Sequence, residues 1–160
     1  TDCPIYWISV IYLNFAEAKA ELGTLTQSDL DNSINKLQAR AGLPAMTTTP
    51  ATDPANNMGV SNLIWEVRRC RRCELIMDNW YRYWDLIRWH QLDKLDSTKY
   101  PNVMLGANVS NVPDCEETVK NGYIDASDAQ IRTYDPKHYF YPVPTTQLTL
   151  NPSMKQNPGW

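Results

Sequence analysis

Residues 61–95 read SNLIWEVRRCRRCELIMDNWYRYWDLIRWHQLDKL, with neither glycine nor proline. Four of the six tryptophans (Trp65, Trp80, Trp84, Trp89) and six of the eight arginines lie in this stretch. Strand formers are few, so the reading is one long aromatic-rich helix, or two in sequence, pressed into a core. Stepping by three and four from Leu63 gives Val67, Cys70, Glu74, Met77, Tyr81, Trp84 and Arg88, a face predicted to be buried. Glu74 and Arg88 fall on it, and a charge on a buried face needs a partner. Asp78 and Asn79 are poor helix residues, which places a bend there.

The rest of the chain sets bounds. It has 160 residues, enough for one domain with its own core. A net charge of −3 and a pI near 5.3 argue against nucleic acid or an anionic membrane surface as the main partner. No apolar run reaches bilayer-spanning length. The opening residues are apolar but lack the basic start of a signal peptide. With no initiator Met and a start inside an amphipathic pattern, the chain is expected to be a portion of something longer.

Outward from the central stretch, Ile5 to Leu22 reads as a first helix. It is apolar almost all round at its start, with Glu17, Lys19 and Glu21 outside and Gly23 as its cap. Thr26 and Asp29 form a capping-box-like start for a second helix, with Leu30, Ile34, Leu37 and Ala41 at helical spacing and Gly42 at its end. Residues 1–44 are therefore a helical hairpin. Residues 45–60 are a Thr- and Pro-rich loop. From 96 to 160 the chain is irregular, with strand-like pieces at 122–125 and 131–134 and a Pro- and aromatic-rich tail expected to be extended. The fold class is mainly α.

The chemical constellations are sparse. Cys3, Cys70, Cys73 and Cys115 allow three disulfide pairings, and spacing alone does not choose among them. Cys70 and Cys73 lie three apart on a helix, too far for a disulfide, and read as free thiols. No second Cys pair follows, and His90 and His138 lack ligand spacing, so neither metal nor cofactor is expected. Glu74 and Asp78 are the nearest thing to a catalytic pair, but helix neighbours do not flank a sugar from two sides. Glu74 reads instead as the partner of Arg71 or Arg88. Arg82, Asp85 and Arg88 lie within one helical turn, so Asp85 is expected to pair with Arg88 or Arg82. No catalytic residue is assigned. For ligand contact, Trp80 at the predicted bend is the first candidate, as a ring on which a sugar could stack, with Tyr123, Tyr134 and the long loop as rival positions.

Three separated stretches carry a family resemblance. YLNFAEAKAELG at 12–23 and LDNSINKLQARAGLP at 30–44 look like the helical hairpin of the SusD/RagB family. RRCRRCELIMDNWYRYWDLIRW at 68–89 resembles that family's R-R-x-E-L … R-x-x-D-L-x-R-W signature. HYFYPVP at 138–144 and LNPSMKQNPGW at 150–160 resemble its closing motif. One departure stands out: residues 76–81 between Glu-Leu and Arg82 are one residue longer than the family's segment and lack its glycine.

The resemblance implies a SusD-like, tetratricopeptide-related fold, of which residues 1–160 would be a single C-terminal domain. It also implies a non-enzymatic, nutrient-binding outer-membrane lipoprotein on the cell surface of Bacteroidota. Such a protein passes oligosaccharide, or in some cases peptide, to a TonB-dependent, SusC-like transporter. It touches the membrane only through an N-terminal lipid anchor. No ligand residue of the family carries over to a position in this chain. The rival readings are a helical protein-interaction scaffold and a glycoside hydrolase built on Glu74 and Asp78.

Overall fold

Two apolar stripes run along the first helix, α1 (Ile8–Glu21). Val10, Leu13, Ala16 and Ala20 recur at three and four residues and are buried, whereas Ile8, Ile11 and Phe15 on the other side are exposed. The computed structural model describes residues 6–78 and 81–160. It is mainly helical, and its contacts gather into two compact units, 1–84 and 85–160, where the sequence was read as one domain.

In the first unit α1 packs against α4 (Asn62–Glu74) and α3 (Ile34–Arg40), with α2 (Gln27–Asp31) beside α3. Their shared core is Val10, Leu13, Ala16, Leu30, Ile34 and Val67, joined by Met46 and Leu75. A Schellman-type closure ends α1, with Thr24 N–H donating to Lys19 O at 2.9 Å. The same closure ends α3, through Leu43 N–H and Gln38 O at 2.9 Å. The capping box forms as read: Asp29 N–H donates to Thr26 Oγ1 at 3.2 Å and Thr26 N–H to Asp29 Oδ2 at 2.9 Å. Lys19 Nζ reaches the same carboxylate at 2.8 Å. That bond, with those from Thr26, pulls the Asp29 carboxyl down to about 2.

The expected second helix is in fact two. Asn32 and Ser33 interrupt it, because their side chains compete for the backbone. Ser33 Oγ donates to Asp29 O at 2.5 Å and Asn32 Nδ2 to Ser28 O at 2.9 Å. Ser33 is fully buried at the break. Past α3, a side-chain carboxamide closes the loop. Asn35 Nδ2 donates to Met46 O at 3.0 Å, while Met46 N–H donates to Asn35 Oδ1 at 2.7 Å. The 45–60 loop is pinned to α4 by Trp65 Nε1 donating to Asp53 Oδ2 at 2.9 Å.

Glu17 corrects the helical-wheel reading. Expected outside, it is 4% exposed. Arg68 of α4 supplies the opposite charge, with Nε 3.6 Å from Glu17 Oε1 and Nη2 2.7 Å from Glu21 Oε1. Arg71, also buried, donates from Nη1 to Asn14 Oδ1 at 2.8 Å and lies over the Tyr81 ring at 5.7 Å.

The second unit begins within α5 (Tyr81–Arg88) and buries Leu86, Trp89 and Leu92. A small antiparallel sheet follows in the order β1 (Leu105–Asn108), β3 (Tyr123–Asp125), β2 (Val119–Lys120). β3 lies where a strand was expected; the expected strand at 131–134 has no strand structure. There Asp96 takes the backbone instead, accepting Tyr134 N–H at Oδ2 (3.0 Å) and, at Oδ1, the Thr98 N–H (2.8 Å) and hydroxyl (2.5 Å). The tail, expected to be extended, forms a short helix, α6 (Thr145–Leu150), after Pro144. Around it the closing motif knots itself. Gln156 Oε1 accepts Val143 N–H at 2.7 Å, its Nε2 donates to Val143 O at 3.0 Å, and Asn157 Nδ2 donates to Tyr141 O at 2.6 Å. Trp160 Nε1 donates to Phe140 O at 3.0 Å, and a Cβ on Gly159 would meet Lys137 Cβ at 2.9 Å.

Two outcomes follow from this wiring. Arg68→Met removes the positive charge 3.6 Å from buried Glu17 and should lower unfolding free energy by about 3 kcal/mol in denaturant titration. Adding Glu17→Leu should restore most of the loss. The second concerns Asp96, whose folded carboxyl is held at about 2, first by the Thr98 hydroxyl. A depressed folded pKa stabilises above the unfolded value near 4 and loses that stabilisation as pH falls toward 2. Asp96→Asn should therefore melt below wild type at pH 6, and the gap should close between pH 4 and pH 2.

Candidate functional site

The signature stretch divides at the site of its sequence departure. α4 ends at Glu74, the chain turns through 75–77, and α5 starts at Tyr81. Met77 in this turn has φ 64 and is wholly exposed. Non-glycine residues rarely adopt that left-handed conformation. The predicted buried face consequently ends here. Val67 is buried and Cys70 half-buried, but Met77 and Trp84 are exposed, and the Arg88 side chain is 43% exposed. The break resets the helical phase, so spacing counted through it no longer marks one face. Trp80, the candidate for ligand stacking, lies outside the described residues.

Glu74 has a different partner from the two expected. Arg40, at the end of α3, donates from Nη2 to both Glu74 oxygens, at 2.6 and 2.8 Å. The sequence could not single out Arg40, because that pair depends on how α3 lies along α4. Arg88 Nε donates to Asp85 Oδ1 at 2.8 Å, with Asp85 buried, and the Arg88 guanidinium stacks over Trp89 at 4.7 Å. Arg82 is half-buried in the first turn of α5 and is itself engaged by neighbours.

Glu74 and Asp78 line one cavity of about 390 Å³, together with Trp7, Ile8, Ser9 and Arg40. Both carboxylates come from the short segment at the end of α4 and the turn after it, and the other lining residues contribute none. Flanking a glycosidic bond needs carboxyl groups on two sides. Glu74 is moreover committed to Arg40. Cys70, at the edge of a neighbouring cavity, accepts Gln38 Nε2 at 3.2 Å, and burial pushes its thiol up to about 11. Such a thiol is a poor nucleophile at neutral pH. Cys70, Cys73 and Cys115 are free cysteines, and no group of three His, Cys, Asp or Glu among the described residues could hold a metal ion. No helix among the described residues is long and apolar enough to cross a membrane.

Sequence reasoning missed an aromatic series in the second unit. His90 stacks at 5.0 Å on Tyr139, which meets Tyr134 at 5.9 Å. His138 continues it, 6.3 Å from Tyr134 and 6.0 Å from Trp160. Burial pushes the Tyr134 phenol up to about 12. These side chains come from segments far apart in sequence, so no local pattern announced them. Phe140, Tyr141 and Trp160 remain exposed beside them.

The helical signature and the knotted closing motif thus sit where the family resemblance required them. The SusD family's sequence profile (SusD_RagB) matches residues 1–160. This chain belongs to the SusD family. Solved structures agree. It superposes on BT4246 with a TM-score of 0.71 at 28% identity, covering 100% of this chain and 24% of that one. A selenomethionine form of BT4246 gives 0.66 at 29% identity, covering 100% of this chain and 25% of that one. A SusD-like protein from Bacteroides fragilis NCTC 9343, BF3747, gives 0.64 at 25% identity over 95% of this chain and 25% of that one. The chain therefore spans about a quarter of the length of these structures. No curated protein matches it.

The strained turn generates its own test. Met77→Gly removes no packing and relieves the left-handed backbone, so it should raise stability by about 0.5–1 kcal/mol in denaturant titration.

Proposed function

We propose that this chain is the C-terminal portion of a nutrient-binding SusD-like lipoprotein, acting by recognition without chemistry. In this reading the whole protein sits on the extracellular face of the outer membrane, held by an N-terminal lipid anchor that lies outside residues 1–160. It captures oligosaccharide, or peptide, and passes it to a TonB-dependent, SusC-like transporter. The observation that carries the reading is the family match along the whole of 1–160, with its signature residues built into the framework. Glu74, Asp85 and Arg88 are engaged with neighbouring side chains, which supports a structural role for the signature. Ligand contact then belongs to exposed loops or to the remainder of the protein.

The test uses the full-length protein. Titration calorimetry against neutral oligosaccharides and short peptides should give saturable binding to one class. Affinity purification from outer membranes should bring down a TonB-dependent transporter. Failure of both would sink the reading. Glu74→Gln should lower the melting temperature and leave ligand affinity unchanged; loss of a hydrolytic activity in that variant would instead favour the glycoside hydrolase.

A further inference from the structure

The second unit holds a cavity of about 500 Å³ that none of the signature residues reaches. Its size falls within the roughly 300–1,000 Å³ of small-molecule sites. One wall is the segment 97–105, the other 118–131. Hydrogen bonds hold the two walls in place. Ser97 N–H donates to Arg132 O at 2.9 Å, Ala126 N–H to Met104 O at 3.1 Å, and Asp125 N–H to Thr118 O at 2.7 Å. Asp128 and Ala129 adopt left-handed backbone in succession, at φ 48 and 62, and Ala129 lines the cavity. Non-glycine residues persist there only where the surroundings over-determine them, as they do around binding sites.

The lining chemistry narrows the ligand. Lys120 and Asp125 are the only charged residues among those lining it, and they are of opposite sign. Neither an anion nor a cation therefore meets an uncompensated charge. The remaining polar groups are hydroxyls and the Gln130 carboxamide, set among the aliphatic Pro101, Met104, Leu105, Val119 and Ile131. All four lining hydroxyls already spend their protons within the protein, Ser97 Oγ on Arg132 O at 3.3 Å and Thr98 Oγ1 on Asp96 Oδ1 at 2.5 Å. Thr118 Oγ1 donates to Asp128 Oδ1 at 2.6 Å, and Ser127 Oγ donates to Asp125 Oδ1 at 2.6 Å. The lone pairs on those oxygens are left as acceptors, while Lys120 and Gln130 supply donors. A ligand that both gives and takes hydrogen bonds at many points, and shows C–H faces between them, matches this lining.

We infer that this cavity binds a neutral polyhydroxylated ligand the size of a mono- or disaccharide, as a site of the second unit in its own right. The ligand's hydroxyls donate to Thr118 and Ser127, and its ring C–H faces lie on Ile131 and Met104. The inference rests on the nutrient-binding reading for its ligand class, and its test separates the two. Full-length protein carrying ¹³C-methyl labels at Met and Ile is titrated with glucose, galactose, maltose, cellobiose and xylobiose. Glycyl-leucine and inorganic phosphate serve as controls. At least one sugar should shift the Met104 and Ile131 methyl signals saturably. Thr118→Val should weaken that binding about tenfold, the loss of one hydrogen bond. Ile131→Trp, a change at an exposed position that fills the mouth, should abolish the Met104 shift in a folded protein. Sugar shifts confined to methyls elsewhere, or shifts from the dipeptide or phosphate alone, overturn the cavity and leave nutrient binding standing. Neither a sugar nor the dipeptide bound anywhere, with no transporter recovered from outer membranes, overturns both.

Discussion

The first unit depends on one buried charge. Glu17 lies on the face of α1 that meets α4, and Arg68 lies opposite it with the compensating charge. Keeping that pair in register favours one rotation of the two helices. Once α1 and α4 are set, Leu13, Ala16 and Val67 close the core between them, and α3 completes it with Ile34. Arg40 at the end of α3 then comes within reach of Glu74 at the end of α4. The arginine-rich composition of the central stretch is thereby explained without a ligand. Arg68, Arg69 and Arg71 each answer a nearby acceptor, Arg69 through Glu66 one turn before it.

The second unit is organised differently. It has little helix to bury and a sheet of only a few residues per strand. Side chains there do what backbone ladders do elsewhere. Asp96 ties the nearby Thr98 amide to the remote amide of Tyr134, and Gln156 pairs with Val143 as a neighbouring strand would. The aromatic series from His90 to Trp160 supplies the apolar contact that a longer sheet or helix would give. Such a unit is specified residue by residue, which is why its motif is long and includes a glycine whose Cβ would not fit against Lys137.

The sequence made the helices and caps of the first unit legible because they are local. Apolar spacing placed α1 and α4, and Thr26 with Asp29 announced the start of α2. It missed whatever depended on a remote partner. Glu17 looked like a surface residue because its wheel position is polar, and Arg68, a remote residue, supplies its opposite charge in the interior. Ser33 looked like an ordinary helical residue, and its bond to Asp29 O broke the helix. Counting three and four through Met77 predicted a continuous face that the left-handed turn cuts in two. In the candidate cavity no short motif exists to be found, since its walls come from two separate segments, 97–105 and 118–131, and are polar in an unremarkable way. The family resemblance did most where periodicity did least, in the closing motif.

The carboxamides that clasp backbone have a consequence for chemical ageing. Asn35 and Gln156 each give one hydrogen bond to a carbonyl and take one from an amide of the same residue, Met46 and Val143. Deamidation leaves the shape nearly unchanged but replaces the donating nitrogen with an oxygen bearing negative charge. Each clasp would then set two oxygens against one another at hydrogen-bonding distance, and at Asn35 in a buried place. Slow hydrolysis of two side chains would thus act as a timer on the loop after α3 and on the chain terminus, loosening both while the helical core stayed intact.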